Sequence, residues 1–308
     1  MSDDPIILGI HGLANKPERS KLEAWWKASI AEGLAKNQNV PNPSFEFKMV
    51  YWAHHLYMNH LHTDPAFTFD EHYNSEPYVE AAPGALKTKD DGLWDDIVIG
   101  TLDVSGSVLD FVKKRFGVSR TADAVLGRLL KDLDLYYDNA AKRADLRGEL
   151  EAELLAVKGR KIMLVAHSMG SIISYDVLTL LGQSHPDFAV DQFITIGSPL
   201  GMPHVKGKII EEFVHRGENK RARLRTPTVV KGRWVNFADR KDPVAIDAHL
   251  ADDYLKHHGV GCEDDLVFNG YEILKPGDRE PDRNYHKSYG YLRTPEFSEV
   301  VKGFLAGG

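Results

Sequence analysis

Ala166-His167-Ser168-Met169-Gly170 sets a serine between small residues two positions to either side. A serine hydroxyl is a weak nucleophile until it is exposed, oriented and placed beside a base. A sharp turn from a strand into a helix does this, and its crowded backbone requires small side chains at those two positions. The flanks agree: 161–166 reads as an apolar strand, and 169–181 as a helix with Ile172, Ile173 and Val177 on one stripe. A helix beginning beyond Ser168 also brings free N–H groups and a partial positive charge to the place where an oxyanion would form. Small-x-Ser-x-small patterns arise by chance in any sequence; the strand before and the helix after set this one apart. The chemistry implied is acyl transfer through a covalent serine intermediate.

Such a serine needs a histidine presented from a loop near the top of a sheet and a carboxylate to hold it. The histidines after Ser168 are His185, His204, His215, His249, His257, His258 and His286. His286 alone sits in a polar loop, 283–289, between a last strand candidate and a terminal helix. His258 is the reserve. For the acid, Asp239 and Asp242 both follow a strand at 234–238, and Asp247 lies further on, where it reads as a helix-start residue.

The elements that must carry these residues alternate between strand and helix. Apolar or alternating runs predict strands at 6–10, 45–51, 161–166, 193–196 and 234–238, with a last short one at 266–268. Helical spacing of apolar residues covers 20–36, 121–157, 169–181 and 295–305. Strands buried on both faces and separated by helices predict an α/β fold, a mainly parallel β-sheet flanked by helices.

Composition narrows the function classes. The 308 residues are 43% apolar and 27% charged, enough to bury a large core and unlike a disordered or coiled-coil chain. Net charge is −7, the wrong sign for general polyanion binding, so no nucleic-acid partner is expected. The basic stretch from Lys206 to Arg225 is interrupted by Glu211, Glu212 and Glu218 and reads as a solvated face. No apolar run spans a bilayer; the longest, 97–112, contains Asp103 and Asp110. The single Cys262 reads as a reduced thiol, and the N-terminus lacks the basic and apolar regions of a secretory signal, so a cytoplasmic location is expected.

On these residues the chain resembles the lipase/esterase-like branch of the α/β-hydrolase superfamily, in which small lipases carry the same Ala-His-Ser-Met-Gly phrase. The first strand ends in His11-Gly12-Leu13, similar to the family's oxyanion loop, and 193–196 runs into Gly197-Ser198-Pro199-Leu200. The resemblance implies the chain order Ser…Asp…His. Asp242-Pro243-Val244 looks like the family's turn and favours Asp242 over Asp239, which would then cap its own backbone. It implies the backbone N–H groups of Leu13 and Met169 as oxyanion donors, His11 as a loop-fixing residue, no catalytic role for His167 and no cofactor. The activity implied is cleavage of a carboxylic ester, with a small-molecule acyl substrate; thioesterase, amidase and acyltransferase use the same machinery. The likeness covers 5–52 and 121–305.

The remainder, 53–120, reads as a lid or cap inserted into a single domain of 1–308, since insertions after parallel strands can cover the crevice. Its stripe from Trp94 through Ile97 to Val112 mainly packs the insertion on the core; beside Lys113, Lys114 and Arg115 it also leaves peripheral lipid contact as an alternative. Two rival functions stand. His54, His55, His60, His62 and His72, with Asp64 and Asp70, could converge on a metal for a metal-dependent hydrolase, although no His-Glu-x-x-His helix is present. A non-catalytic binding protein of the same fold is the other. Nothing in the pattern specifies an oligomeric state.

Overall fold

A computed structural model describes residues 4–64, 66, 74, 76–82, 86, 131–133, 135–217, 223–273 and 282–307. In chain order the elements are β1 (Ile6–Ile10), α1 (Arg19–Gln38), β2 (Glu46–Val50), α2 (Ala140–Ala156), β3 (Ile162–His167), α3 (Met169–Ser184) and β4 (Val190–Ile196). They continue with α4 (Pro203–His215), β5 (Val230–Ala238), β6 (Cys262–Leu266), the short pair β7 (Glu272–Ile273) and β8 (Asp282–Arg283), the single turn α5 (Ser288–Tyr291), and α6 (Pro295–Ala306).

Six strands form one all-parallel sheet in the order β2-β1-β3-β4-β5-β6. β1 and β3 are buried along their whole length, and their side chains alternate between two apolar layers. Ile6, Leu8, Ile10, Ile162 and Leu164 face one layer, with Leu150 of α2 and Ile172 of α3. Ile7, Met163 and Val165 face the other, with Trp26 and Ile30 of α1 and Phe297 and Val301 of α6. Period-two alternation buried on both sides is what a central parallel strand requires. This is the expected α/β architecture, consistent with an α/β-hydrolase fold.

The strand order determines where a site can form. From β1 the chain moves outward to β2, then returns to place β3 on the other side of β1. The crevice beyond the C-terminal ends of β1 and β3 is therefore the switch point, the usual ligand position in open α/β sheets. His11-Gly12-Leu13 and Ser168 stand at those two ends.

Three strand expectations are corrected; one is β4, which begins at Val190, three residues before the expected 193. The last strand is Cys262–Leu266, not 266–268. Glu263, Asp264 and Asp265 hid it, because β6 lies at the sheet edge, paired among the described residues with β5 alone. Its charges find partners there: Glu263 with Arg233, Asp264 with the Leu250 and Ala251 amides. β5 also begins earlier than expected, at Val230, through three exposed residues. Cys262 is a free, buried thiol, and burial pushes its pKa up.

Of the predicted helix 121–157, Ala140–Ala156 is continuous, 131–133 and 135–138 are also helical, and 121–130 lies outside the described residues. Most of the expected 53–120 insertion, including Trp94, the 97–112 stripe and Lys113 to Arg115, lies outside them too. Its described part contains a 3₁₀ turn at Ala53–His55 and residues 76–82. The latter are tied to the core: Tyr78 Oη donates to Glu32 at 2.9 Å, and the Arg293 guanidinium donates to Val79 O at 2.8 Å. No helix among the described residues is long and apolar enough to cross a membrane.

Candidate active site

Ser168 joins β3 to α3 with φ 54° and ψ −128°, a left-handed backbone that L-residues seldom adopt. Its amide donates to Ile196 O at 3.1 Å, and its carbonyl accepts the Ser171 amide and hydroxyl at 2.9 and 2.6 Å. Gly170, the small residue two positions after Ser168, and Gly12 at the end of β1 leave no room for a side chain. A Cβ on Gly170 would stand 2.7 Å from His11 O and 2.8 Å from Ile10 O; one on Gly12 would stand 2.6 Å from Ser168 Cβ. The start of α3, the end of β1 and the serine turn are thus in backbone contact.

Ser168 Oγ lies 2.9 Å from His286 Nε2, and His286 Nδ1 lies 2.9 Å from each oxygen of Asp242. A carboxylate only accepts, so Nδ1 carries the proton and a neutral ring leaves Nε2 to accept the Ser168 hydroxyl. All three side chains are buried. Asp242 Oδ1 also accepts the Val244 amide at 2.8 Å, and Oδ2 accepts Tyr291 Oη at 2.7 Å. These bonds fix the plane of the carboxyl group.

The other candidates stand elsewhere. Asp239 accepts the Lys241 and Asn269 amides at 2.7 and 2.6 Å and is not bonded to His286. Burial raises its carboxyl to about 7, and those two amides oppose the rise. Asp247 accepts the His249 amide. His258 occupies a turn beside His257, with their rings 4.0 Å apart.

The His11-Gly12-Leu13 loop is held from several directions. His11 Nδ1 donates to Gly12 O at 2.8 Å, its Nε2 accepts the Trp52 amide at 3.2 Å, and Trp52 Nε1 donates to His11 O at 2.9 Å. Burial keeps His11 neutral, as this bonding needs. Ala14, with φ 66°, donates its amide to Asp132 at 2.9 Å, and Lys16 Nζ donates to the Leu13 and Ala14 carbonyls. Among the described residues the Leu13 and Met169 amides have no hydrogen-bond partner. Sequence reasoning missed Asp132 and Lys16; the positive φ at Ala14 carries no residue-type signal.

His167 was expected to play no part, because side chains diverge at a tight turn. Its Nε2 nevertheless donates to His286 O at 2.8 Å and its ring lies 4.7 Å from the His286 ring. Burial, with His286 beside it, holds His167 well below the usual imidazole range, so it is neutral. Glu76, from the segment docked on the core, accepts from Asn284 Nδ2 at 2.9 Å and Lys287 Nζ at 3.1 Å, on either side of His286 in the chain.

The histidine-rich start of the insertion separates into parts. His54, His55 and Glu149 bring ligand atoms within 4.8 Å of one another and could hold a divalent cation. His60 instead pairs with Glu18 at 3.3 Å, and Asp64 accepts the Ala66 amide. The His62 carbonyl accepts the Asn74 amide. His72 and Asp70 lie outside the described residues.

Residues 129–212 match the family model of lecithin:cholesterol acyltransferase. The match runs through α2, β3, Ser168, α3 and β4 and ends before Asp242 and His286. With the all-parallel sheet it fits the α/β-hydrolase superfamily and supports an esterase- or acyltransferase-like function. No curated protein matches the chain.

Proposed function

We propose that the chain is a serine hydrolase cleaving a carboxylic ester through an acyl-enzyme, with Ser168 as nucleophile, His286 as base and Asp242 as the acid that holds it. The observation that carries this is the continuous contact from Ser168 Oγ through His286 to both oxygens of Asp242, each step 2.9 Å. Ser168 attacks the ester carbonyl as His286 Nε2 takes its proton, and Asp242 stabilises the imidazolium. The tetrahedral oxyanion rests on the Leu13 and Met169 amides, two donors at the mouth of the crevice with no partner among the described residues. His286 then gives its proton to the departing alkoxide. In the second step water loses a proton to His286, attacks the acyl carbon, and Ser168 leaves with the proton returned.

The match over the Ser168 segment supports a lipid-type acyl chain in the substrate. It also makes an alcohol the competing acceptor: the same acyl-enzyme attacked by an alcohol gives transfer instead of hydrolysis. We read 1–308 as one catalytic domain and 53–120 as its cover, acting in the cytoplasm. The test is turnover of p-nitrophenyl esters and matched thioesters of graded chain length, with and without an added alcohol, by wild type and Ser168→Ala. Ser168→Ala is expected to lose at least about a thousandfold, and the acyl product assigns hydrolysis or transfer. Wild-type turnover by Ser168→Ala defeats the reading. If that turnover also vanished on chelation, His54, His55 and Glu149 would become the centre to examine.

A further inference from the structure

Three consecutive carbonyls around the base are each held by a buried side chain from another part of the chain. Asn269 Nδ2 donates to Tyr285 O at 2.8 Å and to Lys287 O at 2.9 Å, while His167 Nε2 holds the His286 carbonyl between them. Asn269 is fully buried, and both protons of its amide are spent on these two bonds. Its Oδ1 accepts the Tyr271 amide at 3.3 Å, and its own backbone amide donates to Asp239 at 2.6 Å. Asp239 in turn donates its amide to Tyr291 Oη, the hydroxyl that donates to Asp242. Gly290 lacks a side chain where one would collide: a Cβ there would stand 1.6 Å from Asn269 Oδ1.

Asn269 holds the peptide plane before His286 through Tyr285 O, His167 holds the plane after it through His286 O, and the second Asn269 bond, to Lys287 O, anchors the next peptide. Those planes set the direction of the His286 Cα–Cβ bond. With that bond fixed and Nδ1 held by Asp242, the two side-chain torsions leave Nε2 one position, 2.9 Å from Ser168 Oγ. We propose that Asn269 is a positioning residue for acyl transfer, aiming His286 by gripping the carbonyls of Tyr285 and Lys287. The proposal rests on the triad reading above. It also gives Asp239, displaced from the acid role, a place in the chain of contacts that joins the acid loop to the base loop.

The test uses full-length Asn269→Ala and the milder Asn269→Ser, which keeps one donor, each alone and combined with His286→Ala. Thermal melts confirm folding, and kcat and KM are measured on one p-nitrophenyl ester. A misplaced base is expected to lower kcat about a hundredfold in Asn269→Ala, and less in Asn269→Ser, with KM little changed. In the His286→Ala background the same substitutions are expected to change the residual rate by no more than about twofold, because there is no base left to aim. A folded Asn269→Ala or Asn269→Ser with wild-type kcat overturns the proposal, as does an equal fractional loss in both backgrounds. Wild-type turnover by His286→Ala alone would overturn the triad reading together with it.

Discussion

Tyr291 Oη donates to Asp242 Oδ2 at 2.7 Å. Burial and the neighbouring carboxylate push the phenol well above its ordinary pKa, so it stays a donor across the working range. The same hydroxyl accepts the Asp239 amide at 3.0 Å. Tyr291→Phe keeps the ring and leaves a buried N–H and a carboxylate oxygen each short of a partner. The expected cost is about 1–3 kcal/mol of stability, read as a lower urea midpoint. The kcat should also fall, because the plane of the acid is no longer held from this side.

The two neighbouring aspartates are expected to separate by function. Asp242→Asn keeps the shape but no longer dictates that Nδ1 carries the proton, and the expected loss in kcat is roughly ten-thousandfold. Asp239 touches His286 only indirectly, through Asn269, Tyr291 and the Lys241 amide, so Asp239→Asn should lose far less. Steady-state rates on one ester decide this, and a more damaging Asp239→Asn would move the acid role to Asp239.

Gly12 and Gly170 are both crowded, against different kinds of neighbour. At Gly170 the obstacles are the main-chain oxygens of Ile10 and His11, so Gly170→Ala must push α3 away from β1. Overpacking of this kind costs about 1–3 kcal/mol, visible as a lower melting temperature. At Gly12 the obstacles are Ser168 Cβ and His167 Nδ1, at 2.6 and 2.8 Å. Gly12→Ala is therefore expected to depress kcat out of proportion to its effect on melting. Equal effects of the two substitutions on kcat, once scaled to stability, would contradict this.

The meeting of the candidate residues Ser168, Asp242 and His286 was legible because each sits where a strand end meets a short, chemically marked stretch: small residues about the serine, Asp-Pro-Val, and a polar loop before a terminal helix. The central strands were legible because burial on both faces leaves continuous apolar runs. β6 was not, since an edge strand tolerates Glu263-Asp264-Asp265. Asn269 and Asp132 were also hidden, because each works through a bond to a distant segment: Asn269 to Tyr285 and Lys287, Asp132 to Ala14. An isolated Asn or Asp in a loop has no periodicity to mark it. His167 shows the limit of local geometry: its neighbour in sequence is Ser168, but its ring lies against His286 and its Nε2 bonds the His286 carbonyl.

Asp239 also makes stability depend on pH in a predictable direction. Its carboxyl titrates near 7 in the folded protein against an ordinary value of 3.8, chiefly because burial disfavours the charge. The pKa is raised, so between about 4 and 7 the folded state keeps a proton that the unfolded chain has released. Stability contributed by this group is complete below the lower value and is lost as pH rises toward the upper one. Above 7 both states are ionised and the dependence ends. Asp239→Asn has no such titration, and every other group is shared with wild type. The difference in unfolding free energy, wild type minus variant, should therefore fall as pH rises from 4 to 7, by at most about 1.4 kcal/mol per pH unit, and level off above. Urea unfolding of both proteins at matched pH values measures it. A difference that stayed flat from pH 4 to 7, or rose, would show that the buried Asp239 carboxyl is ionised throughout.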